Sequence, residues 1–336
     1  MNSFGRIFRV NIFGESHGEG VGVIIDGCPA GLPLTLDDFL PDLERRKGGT
    51  QKGTTPRQEE DLPIFKSGLF KDKATGAPIT ILFENKNIRS TDYEKQRDFP
   101  RPGHADFVAN KKFGGFEDYR GSGHFSGRLT VGLVGAGVVA KKVLNSKANK
   151  INVTSTILEI GGEKDLEKGL QKAIDAKDSI GGIIECRVSG LPVGLGEPFF
   201  DSVESLISHA VFAIPAVRAI EFGTGFVAAK MFGSEHNDAI LSEGGQTRTN
   251  HAGGVVGGLT NGNEFVFRIA IKPTSSTPKE QNSLNWETGK TENFSVKGRH
   301  DLCIALRVPV VLEAVTAIVL ADLMMLEQKI PRVINQ

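Results

Sequence analysis

The stretch from Val308 to Met325 is apolar almost throughout, and only Glu313 and Asp322 interrupt it with charge. A membrane span needs about 18 consecutive apolar residues, and the two carboxylates break the run. A helix apolar on all its faces is a buried one, so this segment reads as a core helix. At 336 residues the chain is long enough for a large core or two fused halves.

Around that helix the pattern predicts strands over 6–13 and 20–26. A helix follows over 36–46, with Thr35 as its N-cap and Asp37 and Asp38 in its first turn. A basic, glycine-containing loop covers 48–61, a strand 79–84 and an irregular polar segment 85–104. Small apolar residues from Arg128 to Leu144 suit a closely packed helix. An amphipathic helix is expected over 165–176 and a strand from Ile180 to Ser189. Val203 to Arg218 reads as a helix interrupted or ended near Pro215. A glycine-rich region, 244–262, precedes a strand from Glu264 to Lys272. Residues 273–297 read as a long polar loop, and the last helix covers about 308–328. Strands in runs separated by buried helices imply an α+β layered fold. No linker or repeat is visible, so 1–336 is expected to be a single large domain.

Charge excludes one class of partner. Lys plus Arg is 40 and Asp plus Glu is 40, whereas nucleic-acid binders are usually basic. The three cysteines, Cys28, Cys186 and Cys303, lack CxxC spacing and imply neither a disulfide framework nor a metal site. With no signal peptide in the first residues and no uninterrupted membrane span, the expectation is a cytoplasmic protein with buried, reduced thiols.

The chemistry concentrates in five places. Gly14-Glu15-Ser16-His17-Gly18 closes the apolar run Phe8 to Phe13. Glycines there let the backbone turn sharply and present an acid, a hydroxyl and an imidazole to one cavity. Arg101-Pro102-Gly103-His104-Ala105-Asp106 holds a second histidine on a turn with an acid two residues on. Gly298-Arg299-His300-Asp301 places a cation, an imidazole and a carboxylate just before the final helix. Arg45, Arg46, Lys47, Lys52 and Arg57 lie among Gly48, Gly49, Thr50, Thr54 and Thr55, a composition suited to phosphate and carboxylate groups. Finally, Asn250 to Gly262 carries two Gly-Gly pairs whose amides can approach a flat or anionic ligand, and Lys272-Pro273-Thr274-Ser275-Ser276 follows.

Gly135-Ala136-Gly137-Val138-Val139-Ala140, with Glu159 about twenty residues on, also fits a dinucleotide-binding fingerprint. No repeated βα units flank it, and such runs are common in tightly packed helices.

Taken together, the ordered motifs resemble the chorismate synthase family over nearly the whole chain. Besides the five places above, the match includes Asp26-Gly27-Cys28-Pro29, Thr54-Thr55-Pro56-Arg57, Asn85 through Tyr93, Asp118-Tyr119-Arg120-Gly121 and Gly194-Leu195-Gly196-Glu197-Pro198. The resemblance implies a β-α-α-β layered sandwich, typically a homotetramer. It implies a lyase of the shikimate pathway that converts 5-enolpyruvylshikimate 3-phosphate to chorismate and phosphate by anti-1,4-elimination, with reduced FMN as cofactor and no net redox change. By position, His17 resembles the proton donor to the leaving phosphate, His104 the histidine that protonates reduced flavin, and Asp301 the carboxylate that assists hydrogen removal. Ser16 and Ser126 resemble hydroxyls that relay protons. His124, Phe125, Ser126, Glu235, His236, Gly257, Lys272, Pro273, Thr274, Ser275, Ser276 and Arg299 fall at flavin-contacting positions. Arg45, Arg46 and Lys52 would clamp the substrate, or NADPH where the family reduces its own flavin. The chain departs from a common family form at Gly123-His124-Phe125-Ser126-Gly127-Arg128, where Gly-Arg-Ser-Ser-Ala-Arg is usual. It also has Lys47-Gly48 in place of Arg-Pro, and Lys52 in place of Arg.

Two other readings compete. A flavin- or NAD(P)-dependent oxidoreductase would show net hydride transfer. A non-catalytic flavin- or anion-binding protein would release no phosphate.

Overall fold

The computed structural model describes residues 2–49, 51–56, 59–87, 98–146, 150–296 and 300–334. Two antiparallel sheets dominate. The first contains β1 (Ser3–Phe4), β2 (Arg9–Gly14), β3 (Gly20–Asp26), β4 (Ile64–Ser67) and β5 (Ile79–Glu84), in the order β1-β2-β3-β5-β4. The second contains β6 (Asn152–Ile160), β7 (Gly182–Ser189), β8 (Val217–Phe222) and β9 (Phe265–Ile271), in the order β8-β9-β7-β6. The helices are α1 (Leu40–Arg46), α2 (Asp106–Phe113), α3 (Thr130–Leu144), α4 (Leu166–Ala176), α5 (Val203–Val211) and α6 (Val308–Leu326), besides one short turn of helix at Gly233–His236.

Packing runs outward from the middle. The first sheet lies against α3 through β3 and β5, α3 lies against α6, and α6 lies against β6 and β7 of the second sheet. Helix α6 is long and apolar enough to cross a membrane by composition, yet it is almost wholly enclosed by the rest of the chain. Its two charges are answered internally, as buried carboxylates must be. Asp322 accepts the backbone N–H groups of Arg6, Ile7 and Phe8 at 2.9, 2.7 and 2.8 Å. Glu313 accepts from Arg45 Nη2 at 2.7 Å, Lys141 Nζ at 2.9 Å and the Ser155 backbone at 3.1 Å. Burial opposes the Glu313 carboxylate, but Arg45 and Lys141 outweigh it and hold its pKa below the ordinary value.

The Gly135–Ala140 run lies inside α3 and not at a strand-to-helix turn. A Cβ on Gly137 would sit 2.3 Å from the Ala314 Cβ, so the small residue permits close contact between α3 and α6. The nucleotide-fingerprint reading is overturned by that placement.

Three local expectations change. The helix expected over 36–46 is a 3₁₀ turn, Leu36–Asp38, followed by α1, which starts afresh with Pro41 in its first turn. Proline suits a first turn because its missing N–H has no helical partner there. The helix expected over Val203 to Arg218 stops at Val211, and 217–222 is strand β8, entered through Ala216 at φ 73°. The polar loop 273–297 contains a hairpin, Gln281–Leu284 paired with Thr291–Phe294. Strand β6 and helix α2 went unread in the sequence.

Candidate active site

Two cavities meet where the loops of both sheets converge. One, of about 230 Å³, is polar. The other, of about 650 Å³, is walled mainly by apolar side chains, among them Phe4, Ile12, Leu129, Leu133, Phe212, Val315 and Ile318. They share His104, Phe125, Ser126, Pro215, Ala216 and Lys272.

Among the described residues, the polar cavity is lined by the cations Arg46, Lys47, Arg101, Arg128, Lys272 and Arg307 against the carboxylates Glu59, Asp61 and Asp301. Positive charge is in excess. At its floor Asp61 bridges two buried guanidiniums. Arg46 Nη2 donates to Asp61 Oδ2 at 2.8 Å, and Arg128 Nη1 donates to Asp61 Oδ1. Burial opposes the Asp61 carboxylate, but Arg46 and Arg128 outweigh it and lower its pKa. Asp61 adopts φ 52°, a left-handed conformation uncommon away from glycine. Arg46 Nη1 also donates to Thr130 Oγ1 at 3.1 Å, while Arg46 Nε is buried without a partner among the described residues. Arg128 Nε donates to Asn85 Oδ1 at 2.9 Å, and burial lowers the Arg128 pKa.

Asp301 forms the opposite side. It accepts the Thr55 N–H at 2.8 Å and Arg307 Nη1 at 3.0 Å. Arg307 Nε donates in turn to the Arg46 carbonyl at 2.9 Å. Burial lowers the Arg307 pKa.

The Gly-Glu-Ser-His turn ends β2. Ser16 lines the polar cavity, and His17, only 5% exposed, packs under Gly121. Gly121 has φ 57°, and a Cβ there would lie 2.6 Å from His17 Nε2 and 3.1 Å from Ser16 Oγ. Glycine is required at that position both for its conformation and for the room it leaves. His104 stands at the wall between the cavities, beside Asp106. Lys272 Nζ donates to the Gly103 carbonyl and to Ser275 Oγ at 2.7 Å. Burial, together with Arg218, lowers its pKa.

The remaining expected residues divide. Pro273, Thr274, Ser275 and Ser276 line the polar cavity, and Phe125 and Ser126 line both. His124 lines the apolar cavity, but its ring nitrogens already face Gly14 O at 3.1 Å and Asn2 Oδ1 at 3.0 Å. Arg45 lines neither cavity: it turns back onto Glu313 and, at 3.2 Å, onto Asp42. Lys52 also lies outside both cavities, on Gln171 Oε1 at 3.1 Å. Glu235, His236 and Gly257 line neither cavity, and His236 stacks on His251 at 5.8 Å between ring centroids. Arg299, Arg57, Gly298, Thr50 and residues 88–93 of the Asn85–Tyr93 match lie outside the described residues.

Sequence reasoning missed Asp61 and Arg307. Each carried a weak signal. Asp61 ends an acidic triplet at the close of the basic loop, and Arg307 is a lone charge at the start of the most apolar stretch in the chain.

The profile of the chorismate synthase family matches residues 8–325. The chain is 72% identical over 333 residues to a chorismate synthase of Chitinophaga pinensis, covering 99% of both chains. It is 40% identical over 365 residues to a chorismate synthase of Methanocaldococcus jannaschii, covering 96% of both. A crystal structure of a chorismate synthase superposes with a TM-score of 0.73 at 27% identity, covering 96% of this chain and 93% of the other. With the family profile spanning nearly the whole sequence and a 72%-identical relative matching end to end, the chain belongs to the chorismate synthase family.

Proposed function

We propose that the two cavities divide the reactants of the family's reaction, the polar one taking the substrate and the apolar one the ring of reduced FMN. Family membership makes the chain a shikimate-pathway lyase that converts 5-enolpyruvylshikimate 3-phosphate to chorismate and phosphate. That substrate carries two carboxylates and a phosphate. The observation that carries the division is the contrast in lining: surplus guanidinium and ammonium charge in one chamber, apolar walls in the other.

A flat, largely apolar isoalloxazine suits a chamber walled by Leu129, Leu133, Phe125 and Ile318, with Lys272 at its edge. Held there, the reduced cofactor would supply electron density to the reacting ring without net redox change. The chain's own groups do the rest. Arg46, Arg128 and Arg307 orient the anionic substrate. His17, buried beneath Gly121, gives a proton to the departing phosphate oxygen by way of Ser16, which lines the polar cavity. His104, at the shared wall with Ser126, moves a proton at Nε2. Asp301 faces the substrate chamber and assists removal of hydrogen from the ring.

The layered contacts through α3 and α6 support the family's β-α-α-β sandwich. Phe226, Phe232 and Ile240 are 79%, 76% and 75% exposed on the segment that carries Glu235 and His236. We read this segment as a contact between copies in a homotetramer, where Glu235, His236 and Gly257 would reach a neighbour's cofactor. The buried cysteines, whose thiol pKa values burial pushes up to about 12, 12 and 11, suit the cytoplasm.

The test is anaerobic phosphate release. Many phosphates per reduced FMN, with the flavin still reduced, is the expected result. Stoichiometric flavin oxidation would favour an oxidoreductase, and no phosphate would favour a binding protein. Repeating the assay with oxidised FMN and NADPH alone measures whether the chain reduces its own flavin.

A further inference from the structure

His104 has one ring nitrogen with two competing neighbours. Nδ1 lies 2.7 Å from Asp106 Oδ1 and 3.1 Å from Arg101 Nη2. A guanidinium nitrogen only donates, and an ionised carboxylate only accepts, so the two neighbours require opposite states of Nδ1. Arg101 Nη2 carries two protons, and both have other acceptors: Asp106 Oδ1 at 2.8 Å and Ser122 Oγ at 2.7 Å. Nδ1 therefore carries a proton and donates it to Asp106.

The carboxylate is itself held in place. Its Oδ2 accepts from Arg101 Nε at 2.7 Å and from the Arg101 backbone N–H at 3.1 Å. Arg101 is fixed at its other end, where Nη1 donates to Ser276 Oγ at 3.0 Å. Asp106 also begins α2, where the helix dipole favours negative charge. Burial opposes its ionisation, but Arg101 and His104 outweigh it and hold its pKa well below the ordinary carboxylate range.

We propose that Asp106 is a positioning residue that locks His104 in the Nδ1–H tautomer, so that Nε2 is the nitrogen that exchanges a proton with the cavities. The proton on Nδ1 stays with the Asp106 bond throughout. A proton arriving at Nε2 makes an imidazolium that the carboxylate stabilises, and its departure restores the neutral Nδ1–H ring. The consequence for turnover rests on the function proposed above; the tautomer itself does not.

The test uses the full chain with ¹⁵N-labelled histidine and no flavin, at a pH of about 8.5, above the ordinary histidine value of about 6.5. The His104 resonances are assigned by their loss in His104→Gln. Wild type is expected to show a protonated Nδ1 and an unprotonated Nε2. In Asp106→Ala the only group left at Nδ1 among the described residues is the donor Arg101 Nη2, so the proton should move to Nε2. Asp106→Asn, which keeps the side-chain volume, should give a mixture and serves if the alanine variant does not fold. Wild type with the proton on Nε2, or no change in either variant, would overturn the proposal. In the holoenzyme the same variants should lose about 10²-fold in kcat with KM little changed; full turnover with an inverted tautomer would also overturn it. If wild type itself released no phosphate, the functional reading would fall, and the nitrogen resonances would still decide the tautomer.

Discussion

In the polar cavity the arginines are tied to carboxylates of the chain before any ligand arrives, whereas His124, which lines only the apolar one of the two, bonds to uncharged groups. Arg46 and Arg128 share Asp61, Arg101 holds Asp106 and Arg307 holds Asp301. His124 faces the Gly14 carbonyl and Asn2. Guanidiniums fixed in this way lose little further freedom when a ligand binds, which lowers the ordering cost of association. The polar chamber is thus organised to read charge, and the apolar one to accept area. The contrast also separates neighbours in sequence: Arg46 faces the cavity, while Arg45 anchors α1 to the core helix through Glu313.

The largest effect should come from the acid groups. General acid catalysis contributes about 10²–10⁴-fold, so His17→Ala and His104→Ala should each lower kcat within that range while the fold is retained. Near-normal turnover in either variant removes that residue from the reaction.

Next comes the pair Arg46 and Arg45. Charge-assisted bonds contribute roughly 1.5–3 kcal/mol, so Arg46→Ala should weaken substrate binding by about one to two decades. Arg45→Ala should leave substrate affinity nearly unchanged and instead cost on the order of 1 kcal/mol of stability, reduced by solvent screening of its half-exposed side chain. Titration and thermal unfolding of both variants check the split, and equal losses of affinity would erase the distinction.

A smaller effect concerns acid. The Asp61 and Asp106 pKa values are lowered in the folded chain. Their stabilising contribution is therefore complete above the unfolded value of about 3.9. It is lost as pH falls from there through the folded values. Tm should hold on the neutral side and fall below a pH of about 4, and Asp61→Asn, if it folds, should show a shallower fall. A parallel fall in both proteins would deny Asp61 this role.

Much of this was legible in the sequence because composition decides it. The apolar run into α6 could only be core, and the strands on either side of the Gly-Glu-Ser-His turn alternate plainly. The hairpin at 281–294 was not legible, because Gln-Asn-Ser-Leu and Thr-Glu-Asn-Phe show no buried face; it is held by backbone pairing. Strand β8 was hidden by a helical pattern that Pro215 and the left-handed Ala216 end. At the site, motifs identified residues such as Ser16, His104 and Lys272, but they could not show direction. Arg45 and Arg46 are neighbours on α1, where successive side chains point about 100° apart, and only the fold shows which of them meets α6. Asp61 and Arg307 belong to no compact motif, and only the fold joins them to Arg46.

The smallest expected effect is at His124. With both ring nitrogens facing atoms of the chain, His124→Gln should change FMN affinity by no more than about threefold. A larger loss would show that the ring meets the flavin directly.

The division of the two chambers is tested most directly by titrating FMN and substrate separately against Leu133→Phe and Arg46→Ala. Of the two chambers, Leu133 lines the apolar one and Arg46 the polar one. A larger side chain in occupied space costs roughly 1–3 kcal/mol, so Leu133→Phe should raise the FMN Kd about tenfold or more and leave substrate binding alone. Arg46→Ala should do the reverse. If Leu133→Phe spares FMN while Arg46→Ala weakens it, the chambers have been assigned the wrong way round.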